Sequence, residues 1–86
     1  MKPLNYAVLE TFAQTNEADA ELVMERLKPT YGGFRAFSRK NIVESLMTAA
    51  ANGLLCETRC IRGFSGELRV FYRATDYGRE MLANYL

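Results

Sequence analysis

Leu4, Val8, Leu9 and Phe12 recur at helical spacing and predict a first helix over residues 4–14. Pro3 suits its start, where the missing N–H has no partner in any case. Thr15 and Asn16 break the pattern. Asn16 is placed to cap a second helix, and the acids Glu17, Asp19 and Glu21 suit the positive end of its dipole. Ala20, Val23, Met24 and Leu27 form the inner face of that helix. Pro29 predicts its end, because a residue before proline is pushed out of helical geometry. Residues 28–37 then read as a connection bent at Gly32-Gly33, with Phe34 and Phe37 docking on the core as a short first strand.

Ser38 is a good N-cap for a third helix. Phe37 and Ile42 stand at the N′ and N4 positions of a hydrophobic staple. Ile42, Leu46, Ala49 and Ala50 face inward, and Asn52-Gly53 ends the helix. The period then changes from helical to alternating. Cys56, Thr58 and Cys60 share a face opposite Glu57 and Arg59; Leu68, Val70 and Tyr72 share a face opposite Arg69 and Arg73. Directly paired residues lie on one face. Parity therefore pairs Cys60 with Val70 and Thr58 with Tyr72, sets Glu57 against Arg73, and leaves a five-residue loop over 63–67. A four-residue loop sets Cys60 against Arg69 and mixes the faces. Thr75 caps a last helix with two stripes, Tyr77–Met81–Tyr85 and Leu82–Leu86 with Gly78. One stripe should pack on the first helix and the core. The other has no partner in a domain this small.

Three helices, a β-hairpin wing and a C-terminal helix give an α+β, winged helix-turn-helix order. In that arrangement the helix at 38–52 is the recognition helix and the hairpin at 55–74 is the wing. The connection over 28–37 is longer than the 3–4-residue turn of a simple helix-turn-helix. Eighty-six residues suit a single domain, 1–86, with a modest core. No apolar run approaches the ~18 residues needed to span a bilayer. The start, Met1-Lys2-Pro3-Leu4-Asn5, lacks a signal core, so a cytoplasmic protein without a membrane partner is expected.

The net charge of +1 says little, but its distribution says more: residues 1–27 carry −3, residues 28–73 carry +5 and residues 74–86 carry −1. A basic stretch centred on the third helix and hairpin suits phosphate. That helix offers Arg39, Lys40, Asn41, Glu44, Ser45 and Thr48 away from its apolar face. Arg39 and Asn41 are types that make bidentate contacts to guanine and adenine edges. Ser38 and Lys40, at the helix start, suit phosphates. Arg62 and Arg69 flank the groove from the base of the wing, and Phe64 stands at its tip. The DNA-binding set is thus Ser38, Arg39, Lys40, Asn41, Ser45, Arg62 and Arg69, with double-stranded DNA as partner. Glu44 either accepts from cytosine or repels phosphate. The blander alternative is a solvated helix face. An unburied stripe on the last helix predicts a homodimer through Tyr77, Met81, Leu82 and Tyr85.

Chemistry of other kinds finds little support. Cys56 and Cys60 stand four apart in a strand, so their Cα atoms are ~13 Å apart, too far for a disulfide. With no histidine, a zinc site lacks ligands, and the two thiols are expected as small core residues. No glycine motif cradles phosphate, and no nucleophile has a basic partner. No enzyme, metal or cofactor is expected.

Residues 38–55 resemble the recognition helix and following strand of winged-helix bacterial regulators. Tyr72-Arg73-Ala74-Thr75-Asp76-Tyr77-Gly78-Arg79-Glu80-Met81-Leu82 resembles the tyrosine, threonine, glycine, leucine pattern after the wing in the PadR-like and MarR-like groups. The resemblance implies a small DNA-binding transcriptional regulator that dimerises through terminal helices. The alternative it leaves is a winged-helix protein–protein interaction module that binds through the third helix or the wing without DNA.

Overall fold

The computed structural model describes residues 2–84. It contains helices α1 (Leu4–Thr11), α2 (Ala20–Tyr31) and α3 (Arg39–Ala51), strands β1 (Leu55–Arg62) and β2 (Leu68–Ala74), and helix α4 (Asp76–Asn84). The architecture is α+β, in the predicted order of three helices, hairpin and helix. Val8, Phe12, Ala18, Ala20, Val23, Ile42, Leu46, Leu55, Tyr72 and Ala74 form one buried cluster among the helices and the inner face of the hairpin. No helix among the described residues is long and apolar enough to cross a membrane.

The second helix differs from its prediction at both ends. Its N-cap is Asp19, not Asn16: the Asp19 carboxylate accepts the Leu22 N–H at 3.1 Å. The preceding residue is extended instead of helical. Ala18 and Tyr72 exchange both backbone hydrogen bonds, at 3.0 and 2.9 Å, as an isolated antiparallel bridge. The short first strand therefore lies between α1 and α2, and not within residues 28–37. At the other end, Pro29 sits inside α2 and does not stop it. A proline deprives only one carbonyl of its helical donor, here that of exposed Glu25, which water can reach. Continuing the helix places buried Tyr31 where its hydroxyl donates to the Lys2 carbonyl at 2.5 Å. Phe34 does not dock on the core. It is exposed and meets the Tyr31 ring edge-on, centroids 5.3 Å apart. Phe37 does pack against the core cluster.

The third helix forms as its sequence predicts. The Ser38 hydroxyl accepts the Asn41 N–H at 3.2 Å, and Gly53 at φ 79° supplies the left-handed residue beyond the C-cap. In the hairpin, Cys60 pairs with Val70 and Arg62 with Leu68, which leaves the five-residue loop at 63–67. Below Arg59 the predicted register fails. A bulge leaves Thr58 without a cross-strand partner, so Glu57 opposes Tyr72 and Cys56 opposes Arg73.

The bulge has two visible consequences. Phe71, on the sheet face away from the core, is only 5% exposed because the guanidiniums of Arg59 and Arg69 lie 4.3 and 5.4 Å from its ring centroid. Residues 57–62 of β1 are all exposed beyond the helices. Cys60 is accordingly exposed and Cys56 half-buried, so the thiols are not the small core residues expected.

The last helix docks through its glycine. A Cβ on Gly78 would collide with the Leu54 carbonyl oxygen, so only glycine permits this approach. The Thr75 hydroxyl donates to the Gly53 carbonyl at 2.6 Å and accepts the Gly78 N–H at 2.9 Å. The stripe holding Gly78 and Leu82 is thereby turned inward.

Candidate nucleic-acid interface

The wing stands beside α3. A cleft of about 190 Å³ separates them, with Arg39, Val43 and Met47 on the helix wall and Leu68, Arg69 and Val70 on the β2 wall. This cleft organises the surface that the sequence assigned to DNA. It also divides the predicted residues. Arg39 and Arg69 line it, whereas Asn41, Glu44, Ser45 and Thr48 line a second groove, between α3 and the start of α1. Residues two apart on a helix are rotated by about 200°, so Arg39 and Asn41 cannot share a face.

Several of these side chains already have partners. The Ser38 hydroxyl is the helix cap. The Asn41 side-chain amide donates to the Ala36 carbonyl at 2.9 Å and braces the turn before α3. Arg39 pairs with Glu21 at 2.9 Å, both side chains about half exposed. Arg69 donates to Asp19 at 2.6 Å, and Asp19 is 2% exposed. Arg62 donates to the Gly66 carbonyl at 3.0 Å and stiffens the wing tip. Lys40 is exposed and has no ion pair or side-chain hydrogen bond among the described residues.

The sequence reading missed a ladder of acids. Glu17 pairs with Arg59 at 2.9 Å, Asp19 with Arg69 at 2.6 Å and Glu21 with Arg39 at 2.9 Å. Three of the eight cations in residues 28–73 are thus met by three acids at alternate positions. The charge segregation along the chain is largely folded into contacts. Spacing of two is strand spacing, and that was the available signal against reading the acids only as dipole partners.

The electrostatics follow these contacts. Burial pushes the Asp19 carboxyl up, but the Arg69 hydrogen bond and charge and the Leu22 N–H together outweigh it and hold the group below its ordinary 3.8. The Arg69 guanidinium is raised, chiefly by its hydrogen bond to Asp19. The Glu17 carboxyl is lowered, first by the hydroxyl of Thr58, which donates to it, and then by Arg59. Burial raises the Tyr72 hydroxyl, with a further contribution from Glu57.

The wing tip is a braced loop. Gly63 N–H donates to the Glu67 carbonyl at 2.6 Å, Gly66 N–H to the Gly63 carbonyl at 3.0 Å, and Ser65 N–H to the Glu67 side chain at 2.9 Å. Phe64 projects from it fully exposed and does not fold back onto the sheet. At the other end of the molecule, Tyr77 of α4 is exposed and Met81 half-buried. Leu82, predicted at a dimer interface, is 4% exposed and belongs to the interior, because Gly78 brings its stripe onto Leu54. Tyr85 lies outside the described residues.

Three helices, a one-residue strand between the first two, and a hairpin set against the third define a winged helix. Among solved structures, the fold is similar to that in the crystal structure of Bacillus subtilis PadR in complex with operator DNA. The TM-score is 0.77 and the identity 21%, over 99% of this chain and 47% of that one. The chain therefore spans about half the length of that PadR chain. No protein-family model matches the chain, and comparison with curated proteins finds no match.

Proposed function

We propose that residues 1–86 act as one winged-helix domain of a DNA-binding transcriptional regulator in the cytoplasm. The observation that carries this reading is the shared surface of α3 and the wing, in a fold similar to that of a protein crystallised on its operator. On this surface Lys40 is unpaired and contacts phosphate from the start of α3, with Ser38 and the helix N-terminus beside it. Arg62 contacts phosphate from the wing. Arg39 reads a base edge.

The two arginines of the cleft are not equivalent. An exposed pair such as Arg39–Glu21 contributes about 0.2–1 kcal/mol, so DNA can displace Glu21 at small cost. Arg69 is held by a buried carboxylate that would be left without its cation, which is expensive. Arg69 therefore positions the wing and does not reach for phosphate. Asn41, bonded to Ala36, likewise positions α3, and Ser45 lies too far round the helix to act with Arg39.

Retention of genomic DNA fragments at two salt concentrations tests the reading. Phosphate contacts give an affinity that falls with salt at a slope of about −0.9 per contact. Arg39→Ala should cost about 1–3 kcal/mol at a specific site, and Arg62→Ala should weaken all sequences alike. Absence of binding at low salt removes the proposal. One observation favours the second reading, a protein-interaction module: Met47, Leu68 and Phe64 are apolar and exposed on α3 and the wing. Salt-independent association through that face would replace DNA binding.

We also infer that the domain forms a homodimer through α4. The support is the Tyr77–Met81 stripe, which no element of the described chain covers fully.

A further inference from the structure

We propose that the cleft between α3 and the wing recognises the C5-methyl group of a pyrimidine in the DNA major groove. The inference rests on the DNA-binding reading and names what one part of that site reads. Along α3, Arg39, Val43 and Met47 follow one another at four-residue spacing and form one wall; Leu68 and Val70 form the other. Met47 and Leu68 are each 59% exposed, so the apolar walls are open to solvent. The charged groups of the cleft are engaged with each other or with a neighbour: Arg39 with Glu21, and Arg69 with Asp19. What the cleft offers to a newcomer is apolar.

Its size limits the occupant. About 190 Å³ is below the roughly 300–1,000 Å³ of small-molecule sites. It admits a group between a methyl and one small side chain. Of everything a base pair presents in the major groove, the pyrimidine C5-methyl is the apolar group. The unbranched Met47 side chain can adapt to such a group. Thymine and 5-methylcytosine both carry it.

The test begins with duplexes selected by the full chain from a random library. In the best of them, each thymine is replaced in turn by deoxyuridine, which keeps base pairing and removes the methyl. Affinity should fall about fourfold at one or two positions, the equivalent of about 0.8 kcal/mol per buried methyl. Met47→Ala or Leu68→Ala should abolish that difference, with melting unchanged because both side chains are exposed. A parallel selection from a library with every cytosine methylated separates the sources: 5-methylcytosine enriched at the sensitive positions includes it, and thymine alone excludes it. A specific duplex on which deoxyuridine is silent everywhere overturns the proposal. So does a deoxyuridine effect that survives in both alanine variants. Failure to select any duplex is a separate result, and it removes the DNA-binding reading itself.

Discussion

Asp19 joins three parts of the molecule through one carboxylate. It caps α2, it binds Arg69 of β2, and it follows the residue that bridges to Tyr72. Asp19→Ala should cost about 2–4 kcal/mol in chemical denaturation, from a lost N-cap and a lost charge-assisted hydrogen bond. Its pH dependence has a definite sign. The folded-state value lies below the ordinary 3.8, so the folded protein holds this proton less tightly than the unfolded chain. The contribution is present above pH 3.8 and is lost as pH falls through the depressed value. Asp19→Ala should thus flatten the acid limb of the stability curve. Glu21→Gln acts on a different residue, Arg39, with little effect on folding. It should tighten DNA binding, by up to about fivefold, by releasing an exposed ion pair that DNA otherwise has to break. Unchanged or weaker binding would mean that Arg39 does not face the duplex. The caps at Ser38 and Thr75 were legible in the sequence because capping is local. The acid ladder was not, since Glu17 and Asp19 meet arginines about 40 and 50 positions away.

Among the elements, the hairpin was read correctly above its bulge and incorrectly below it. Parity fixes register only while pairing is unbroken. The five-residue loop and the Cys60–Val70 pair follow from it, but Thr58, whose hydroxyl donates to Glu17 and to the Phe71 carbonyl, leaves the ladder. The length of α2 was misread for a related reason. A local rule about Pro29 was overridden by the burial of Tyr31, two residues further on. At the wing tip, Phe64 contacts little of its own chain. Phe64→Ala should therefore leave thermal stability within about 0.5 kcal/mol of the parent, and any loss of DNA binding would belong to the interface. For α4 the expectation is opposite. Gly78→Ala gains about 1 kcal/mol of helix propensity but drives a methyl into the Leu54 carbonyl. The collision with backbone should outweigh the gain, and calorimetry should show net destabilisation of about 1–3 kcal/mol.

For the whole molecule, the order of elements was legible because each has its own period and its own stop. The interface was only partly legible. Consecutive residues were grouped as one site, yet helical geometry sends Arg39 to the cleft by the wing and Asn41 with Ser45 to the groove by α1. The C-terminal stripes are now distinguished: Leu82 is spent on the interior, and Tyr77 with Met81 remains. Met81→Glu should convert the proposed dimer to a folded monomer in sedimentation, while a monomeric parent at tens of micromolar would exclude the dimer.

The Ala18–Tyr72 bridge makes the wing part of a lever. Backbone bonds tie the centre of β2 to residue 18, and Asp19 ties the same strand to the start of α2, whose far end leads into α3. The lower wing cannot swing without carrying α2 along, so compliance is confined to the tip beyond Arg62 and Leu68. Grooves of different width would then be met by bending of the tip alone, with the angle between wing and α3 kept constant. Amide exchange should divide the hairpin accordingly, slow at Tyr72 and Ala18 and fast at Phe64, with no gradual slope between them.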